Sequence, residues 1–271
     1  VMTPDSLNQF EQVLHVIPYS NHHPWVHTLL IKLFYSIGLK LTGSMLVALS
    51  FYTVFQMALL AYSICYFINT LRLFHIRPGI CFLITLFYAL IPYHAVFSVT
   101  LWKDIPFAAA VLCFGCSLLR LIRNMTFKNV SSLCVFILSG FMLCLFRSNG
   151  WYAFLLCLPF LLVYFRKAGK IMFPAILGIL ITSVIIKYPV MNAFHVTQPD
   201  LVESLSIPVQ QIAAVICNDR SLSDDELALI EKVVDLTYIK DLYDPYYADN
   251  IKELVRAGHQ NYLAGHKREF L

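Results

Sequence analysis

After a polar stretch over 1–24, long apolar runs separated by short polar or basic segments fill the chain to about residue 190. Six of them, 45–68, 80–97, 105–119, 132–146, 151–165 and 171–186, have the character of membrane-spanning helices. A hydrocarbon core about 30 Å thick is crossed by about 20 apolar residues in a helix, so the pattern predicts about six crossings. Residues 25–41 differ. They are apolar on average, yet Lys32, Ser36 and Lys40 recur at helical spacing and mark a polar stripe. That predicts a helix lying in the membrane interface, with a spanning helix as the alternative. Beyond residue 190 the long runs stop. Ser223-Asp-Asp-Glu226, followed by Leu227, Leu229, Ile230, Val233 and Val234, predicts a capping box opening an amphipathic helix. A short helix is expected over 251–257, and Asp244-Pro245 marks a turn. No strand alternation of any length is visible. The chain is therefore expected to be an all-α polytopic membrane protein. Residues 1–44 form an outer loop and interfacial helix, 45–188 a transmembrane helical body, and 189–271 a mainly helical polar segment.

Composition and charge agree with this picture and orient it. Hydrophobic residues make up 59% and charged residues 13%, against about 25% charged in soluble domains. Three acids lie before residue 190 and 13 after it, whereas 13 Lys and Arg precede residue 190 and seven follow it. The cations of the body sit between apolar runs, so they set orientation and imply no nucleic-acid partner. Alternate loops holding Arg72/Arg77, Arg120/Arg123/Lys128 and Arg166/Lys167/Lys170 carry eight cations; the opposite loops carry Lys103, Arg147 and Lys187. The richer set is expected on the cytoplasmic side. The N-terminal segment, the Lys103 and Arg147 loops and the C-terminal segment are then extracytoplasmic. The sequons Asn124-Met-Thr126 and Asn129-Val-Ser131 fall on the cytoplasmic side, where no glycosylation is expected. Seven of eight cysteines lie in apolar runs, and Cys113-Phe-Gly-Cys116 sits mid-span with no second pair, so these are small hydrophobes and not a redox or metal motif. No signal peptide is visible, and the ends at Val1 and Leu271 suggest a fragment of a longer chain.

The candidate chemistry lies on the outer face. Asp104 is the one carboxylate between Glu11 and Asp200, and an acid beside hydrocarbon is costly unless paired or solvated. Asp5, His22, His23, Lys103, Asp104, Arg147 and Asn149 all fall in outer loops. Each has an ordinary structural use: Asp5 as a helix N-cap, Lys103–Asp104 as a local ion pair, Arg147 as a headgroup anchor, the histidines as interfacial hydrogen-bonders. Together they match a site for a phosphorylated lipid. A carboxylate can deprotonate a hydroxyl or hold a divalent ion, Lys103 and Arg147 can bind phosphate, and a neutral histidine can orient a hydroxyl.

Pro4-Asp5-Ser6, Ser20-Asn21-His22-His23-Pro24, the segment 29–34, Trp102-Lys103-Asp104, Arg147-Ser148-Asn149-Gly150 and Ser206-Ile207-Pro208-Val209-Gln210-Gln211 follow one another in an order that carries a resemblance. The order resembles GT-C membrane glycosyltransferases, which include protein O-mannosyltransferases and the aminoarabinose-type and RgtA/B/C/D-like bacterial enzymes. It resembles more closely a family of uncharacterised bacterial membrane proteins, DUF6020-like, related to that fold. The resemblance implies transfer of a sugar, with inversion, from a polyprenyl-phosphate donor to a cell-envelope glycan, lipid or protein acceptor at a bacterial plasma membrane. It makes Asp5 the catalytic base and Asp104 its partner for metal or acceptor. It also implies substrate binding by His22, His23, Lys103, Arg147 and Asn149, and a divalent cation (Mg or Mn) on Asp5 and Asp104. The chain departs from the pattern in having one acid, not an adjacent pair, in its first loop, and Trp25 after His-Pro. The competing expectations are a transporter or flippase of lipid-linked sugar and a non-catalytic anchor presenting the acidic segment. Polar groups at span ends, and the lack of a repeat, favour the enzyme.

Overall fold

The computed structural model describes residues 2–123, 130–218 and 222–258, the last three as backbone alone. The two sequons lie at least partly outside the described residues. The described residues are helical, with isolated bridges and no strand. The chain divides into two units, Val1–Thr197 and Gln198–Leu271.

The first unit begins with α1 (Pro4–Val13) and α2 (Trp25–Thr42), then α3 (Met45–Leu73). α2 and α3 meet through a glycine. A Cβ on Gly38 would stand 2.7 Å from Ala48 Cα, so only hydrogen there lets the two backbones approach this closely. Around that contact Ile31, Tyr35 and Tyr52 are buried, with Phe34 stacked on Phe55 at 4.3 Å between ring centroids.

The apolar run over 80–97 is broken in two: α4 (Pro78–Leu90) and α5 (Pro92–Val99) meet at a 57° bend. The cause is Pro92. It has no N–H to continue the ladder, and it forces Ile91 into extended backbone at ψ 117°. The carbonyls freed near the end of α5 are gathered by Gln56, buried in α3. Its Nε2 donates to the carbonyls of Thr100 at 2.7 Å, Ser98 at 3.0 Å and Phe97 at 3.4 Å.

α6 (Asp104–Arg123) packs on α3 and on α7 (Val130–Phe146). Arg120 fastens it to α3: its guanidinium lies 3.9 Å from the Tyr66 ring centroid, and Nε donates to Thr70 Oγ1 at 2.8 Å. α8 (Ser148–Tyr164), a 3-10 turn, and α9 (Gly169–Ile185) follow. A π turn and α10 (Met191–Ala193) close the unit.

Three stretches are long and apolar enough to cross a membrane: α3, α6 and the helical run Ser148–Ala193. A fourth is added if α4 and α5 count as one bent crossing. The unit is thus that of a helical membrane protein, with three or four crossings by helix length where hydropathy predicts six. The run Ser148–Ala193 is not one rod. As a straight helix its 46 residues would extend roughly 70 Å at about 1.5 Å per residue. Lys187 Nζ nevertheless lies 5.7 Å from the Trp151 ring centroid. α8 and α9 therefore double back at Phe165–Ala168, and Trp151, Phe154, Met172, Ile176 and Ile179 share one buried cluster with Phe136 of α7.

The second unit contains α11 (Leu201–Ser204), α12 (Ser206–Cys217), α13 (Asp224–Glu231), α14 (Leu236–Leu242) and α15 (Asp249–Gly258). The predicted capping box is present: Ser223 Oγ accepts from Glu226 N, and Glu226 accepts from Ser223 N at 2.8 Å. The helix stops at Glu231, earlier than its apolar pattern suggests, because Val233 and Val234 turn inward in the following bend and join Val202, Ile239, Ile251 and Val255 in the core. Lys252 is paired with Glu203 at 3.0 Å and with Asp249.

Candidate functional site

Thr3, Pro4, Asp5 and Ser6 open α1. Thr3, not Asp5, is the N-cap: its hydroxyl accepts from Ser6 N at 3.2 Å, and Pro4 takes the first helical position, where a missing N–H costs nothing. Asp5 therefore stands free of capping duty in the first turn, where the helix dipole favours an anion. Ser6 Oγ donates to the Leu101 carbonyl, and Met2 bridges Leu101. These two ties bring the start of α1 against the loop before α6.

Lys103 and Asp5 meet as a consequence, with Lys103 Nζ 3.1 Å from Asp5 Oδ2. The same ammonium is 2.8 Å from His23 Nδ1, which is 3.8 Å from Asp5 Oδ2. His22 packs edge-on to His23 at 4.6 Å between centroids. The histidine loop is held from the other side: Asn21 N donates to the Thr197 carbonyl at 2.8 Å, and Thr197 N donates to the Tyr19 carbonyl at 3.0 Å. Burial pushes the Asp5 carboxyl up, but the hydrogen bond and charge of Lys103, helped by His23 and His22, outweigh it. The carboxyl is held below the usual carboxylate range. Asp5 is thus an ionised, half-exposed carboxylate with a cation and an imidazole beside it.

The second acid faces elsewhere. Asp104 Oδ1 is buried and lies 3.1 Å from Arg147 Nη1, an ion-pair contact without the alignment of a hydrogen bond. Arg147 is the extended residue between α7 and α8. Its place depends on Gly150, where a Cβ would collide with the Leu143 carbonyl and the Phe107 ring. Of the sequence-predicted residues, Asp5, His22, His23 and Lys103 come together, and Asp104, the residue after Lys103, forms a separate pair with Arg147. No contact joins Asp5 to Asp104 among the described residues. Asn149 is exposed on the first turn of α8, apart from these contacts.

Behind the cluster lies a polar network that outer-loop reasoning does not include. His27 is fully buried in the first turn of α2, its Nδ1 3.0 Å from Gln9 Oε1 and its Nε2 2.6 Å from the Tyr52 hydroxyl. Gln9 Nε2 donates to Thr28 Oγ1 at 3.0 Å, which leaves its oxygen toward His27. These partners assign the proton to Nδ1, with Nε2 accepting from Tyr52. Burial, with the Lys103 and His23 charges adding to it, pushes the His27 pKa down to about 3. Its signal in the sequence is a histidine, a glutamine and a tyrosine on faces that the apolar pattern turns inward.

The donor set does not fit a divalent cation as it stands. No group of three or more His, Cys, Asp or Glu side chains with metal-binding geometry occurs among the described residues. Each acid already faces a fixed cation, Lys103 on Asp5 and Arg147 on Asp104.

No match was found among curated proteins or among solved structures. One family model matches residues 16–266, starting just beyond α1 and its Asp5. By that match, which spans most of its length, the chain belongs to DUF6020, a family of unknown function.

Proposed function

We propose that the protein is an integral membrane glycosyltransferase of GT-C type. It would transfer a sugar from a polyprenyl-phosphate donor to a cell-envelope acceptor at the outer face of a bacterial plasma membrane. The observation that carries this reading is the meeting of Asp5, Lys103 and His23, a carboxylate, an ammonium and an imidazole within 4 Å of one another. In this reading the acceptor hydroxyl oxygen attacks the anomeric carbon. The anomeric C–O bond to phosphate breaks with its electron pair going to the phosphate oxygen, and the hydroxyl proton passes to Asp5. Lys103 and Arg147 offset the charge growing on the phosphate, while His22 and His23 orient the acceptor. Six crossings are part of the proposal, supported by the doubling back of α8 on α9, with α2 in the interface. Mg or Mn would enter only by displacing Lys103 from Asp5 or Arg147 from Asp104, so the steps above run through side chains alone.

A second reading is favoured by one observation. The 57° break between α4 and α5 is of the kind that transporters use at their binding sites, and a flippase for lipid-linked sugar would move the donor without cleaving it. Turnover of lipid-linked sugar separates the two. In membranes holding equal amounts of protein, Asp5→Asn is expected to cut turnover by roughly 10²- to 10⁴-fold. Unchanged turnover in both Asp5→Asn and Asp104→Asn would overturn the catalytic assignment, and donor translocation without cleavage would support the flippase. Cysteines placed at Ser98 and Ser131 test orientation: Ser98 is expected to react from outside.

A further inference from the structure

The C-terminal unit holds a cleft of about 300 Å³ between the N-terminal half of α12 and the segment joining α14 to α15. That is at the lower end of the size of small-molecule sites, roughly 300–1,000 Å³. Its chemistry is unusual for a surface hollow. Three tyrosines line it, Tyr243, Tyr246 and Tyr247, together with Ser206, Gln210 and Gln211. No charged side chain is among the described lining residues, although this unit carries most of the protein's acids.

Each element has a local cause. Asp244 accepts from Tyr246 N at 2.8 Å through its Oδ1, an Asx turn that throws the Tyr246 ring outward. Tyr246 is 96% exposed, so the ring covers nothing in the protein itself. Gln210 Nε2 donates to the Asp244 carbonyl, which ties the tyrosine turn to α12 and settles which end of the amide is nitrogen. Gln210 Oε1 then lies under the surface with no hydrogen-bond partner among the described residues, a state that costs free energy until a donor arrives.

We propose that this cleft binds a neutral sugar. The C–H face of a pyranose is apolar and faintly positive, and it stacks on the negative face of an aromatic ring; Tyr246 and Tyr247 offer such faces at low entropic cost. The rim hydroxyls of the sugar require amide and hydroxyl partners, which Gln210, Gln211 and Ser206 supply. A phosphate or carboxylate finds no cation in the lining. The site is independent of the chemistry at Asp5 and stands whether or not that carboxylate is catalytic.

Saturation-transfer NMR on the full chain in lipid nanodiscs, which avoid the sugar headgroups of maltoside detergents, tests the proposal. The probes are neutral tetrasaccharides of glucose, mannose and galactose at roughly millimolar concentration. Saturable transfer to at least one of them is expected, with affinity lowered at least about fivefold by Tyr246→Ala. Gln210→Leu is expected to weaken binding as well. Tyr246→Ala removes no packing and so reports even if Gln210→Leu fails to fold. Tyr238→Ala, on α14 and away from the cleft, should leave binding unchanged. Absence of transfer to all three probes, or binding indifferent to Tyr246→Ala, would overturn the proposal.

Discussion

Asp5 Oδ2 lies 3.1 Å from Nζ of Lys103, a residue 98 positions away in the chain. Burial favours the neutral acid and the ammonium favours the carboxylate, and the ammonium wins. Lys103→Gln removes the winner, so the Asp5 pKa should rise above its ordinary 3.8, read by infrared titration of the carboxyl band. In the native protein the folded value is depressed. The pair therefore contributes stability above about pH 3.8 that fades as pH falls through the lowered value. Asp5 is half exposed, which keeps the contribution within about 1 kcal/mol.

His27 should make stability depend on pH in a different window. Its folded value is about 3 and its ordinary value 6.5, so on unfolding it takes up a proton anywhere between the two. Stability is complete above pH 6.5 and is lost as pH falls toward 3, by on the order of 4 kcal/mol across that range. Thermal unfolding in nanodiscs between pH 7 and 4 measures the slope, and His27→Asn is expected to flatten it while lowering Tm throughout.

Gly150 and Gly178 form a matched pair. A Cβ at Gly150 meets the Leu143 backbone, whereas one at Gly178 meets nothing within 4 Å. Gly150→Ala should cost about 1–3 kcal/mol through overpacking and draw Arg147 away from Asp104. Gly178→Ala should leave Tm unchanged or slightly higher, since alanine is the better helix former. Equal effects in the two variants would contradict the packing account.

Gln56→Leu keeps the volume of the side chain but removes the amide donor from the Ser98 and Thr100 carbonyls, while Phe97 keeps its bond from Thr100 N. A loss of about 1–3 kcal/mol is expected, together with faster amide hydrogen exchange over residues 98–104 than in the native chain.

Much of the helix framework is legible in the pattern of residues, and the misses have physical reasons. α2 starts at Trp25 as expected, and α3 at Met45, because long apolar runs with polar ends are unambiguous. The break at Pro92 escapes a hydropathy average, which weighs side chains and ignores the missing N–H. Thr3-Pro4 marks Thr3 as the cap once proline is given the first helical position, leaving Asp5 free. The pairing of Asp5 with Lys103 rests on the Ser6–Leu101 tie, which no local pattern announces. His27 is harder still: its neutrality comes from burial beside the Lys103 and His23 charges, and its tautomer from Gln9 and Tyr52, each from a different helix.

The ties that assemble the site also set when it can exist during synthesis. Ser6 must wait for Leu101, 95 residues later, and Tyr19 for Thr197, 178 residues later. At about 5–20 residues per second the ribosome needs roughly 5–20 s for the first and roughly 10–35 s for the second. A chain stalled before residue 101 therefore has Asp5 on a helix that can dock on α2 through Gln9 but lacks the Leu101 tie and the Lys103 ammonium, and the His22–His23 loop lacks its Thr197 tie until the last membrane helices have been made. The complete cluster of Asp5, Lys103 and the His22–His23 loop arrives only with nearly the whole first unit in place.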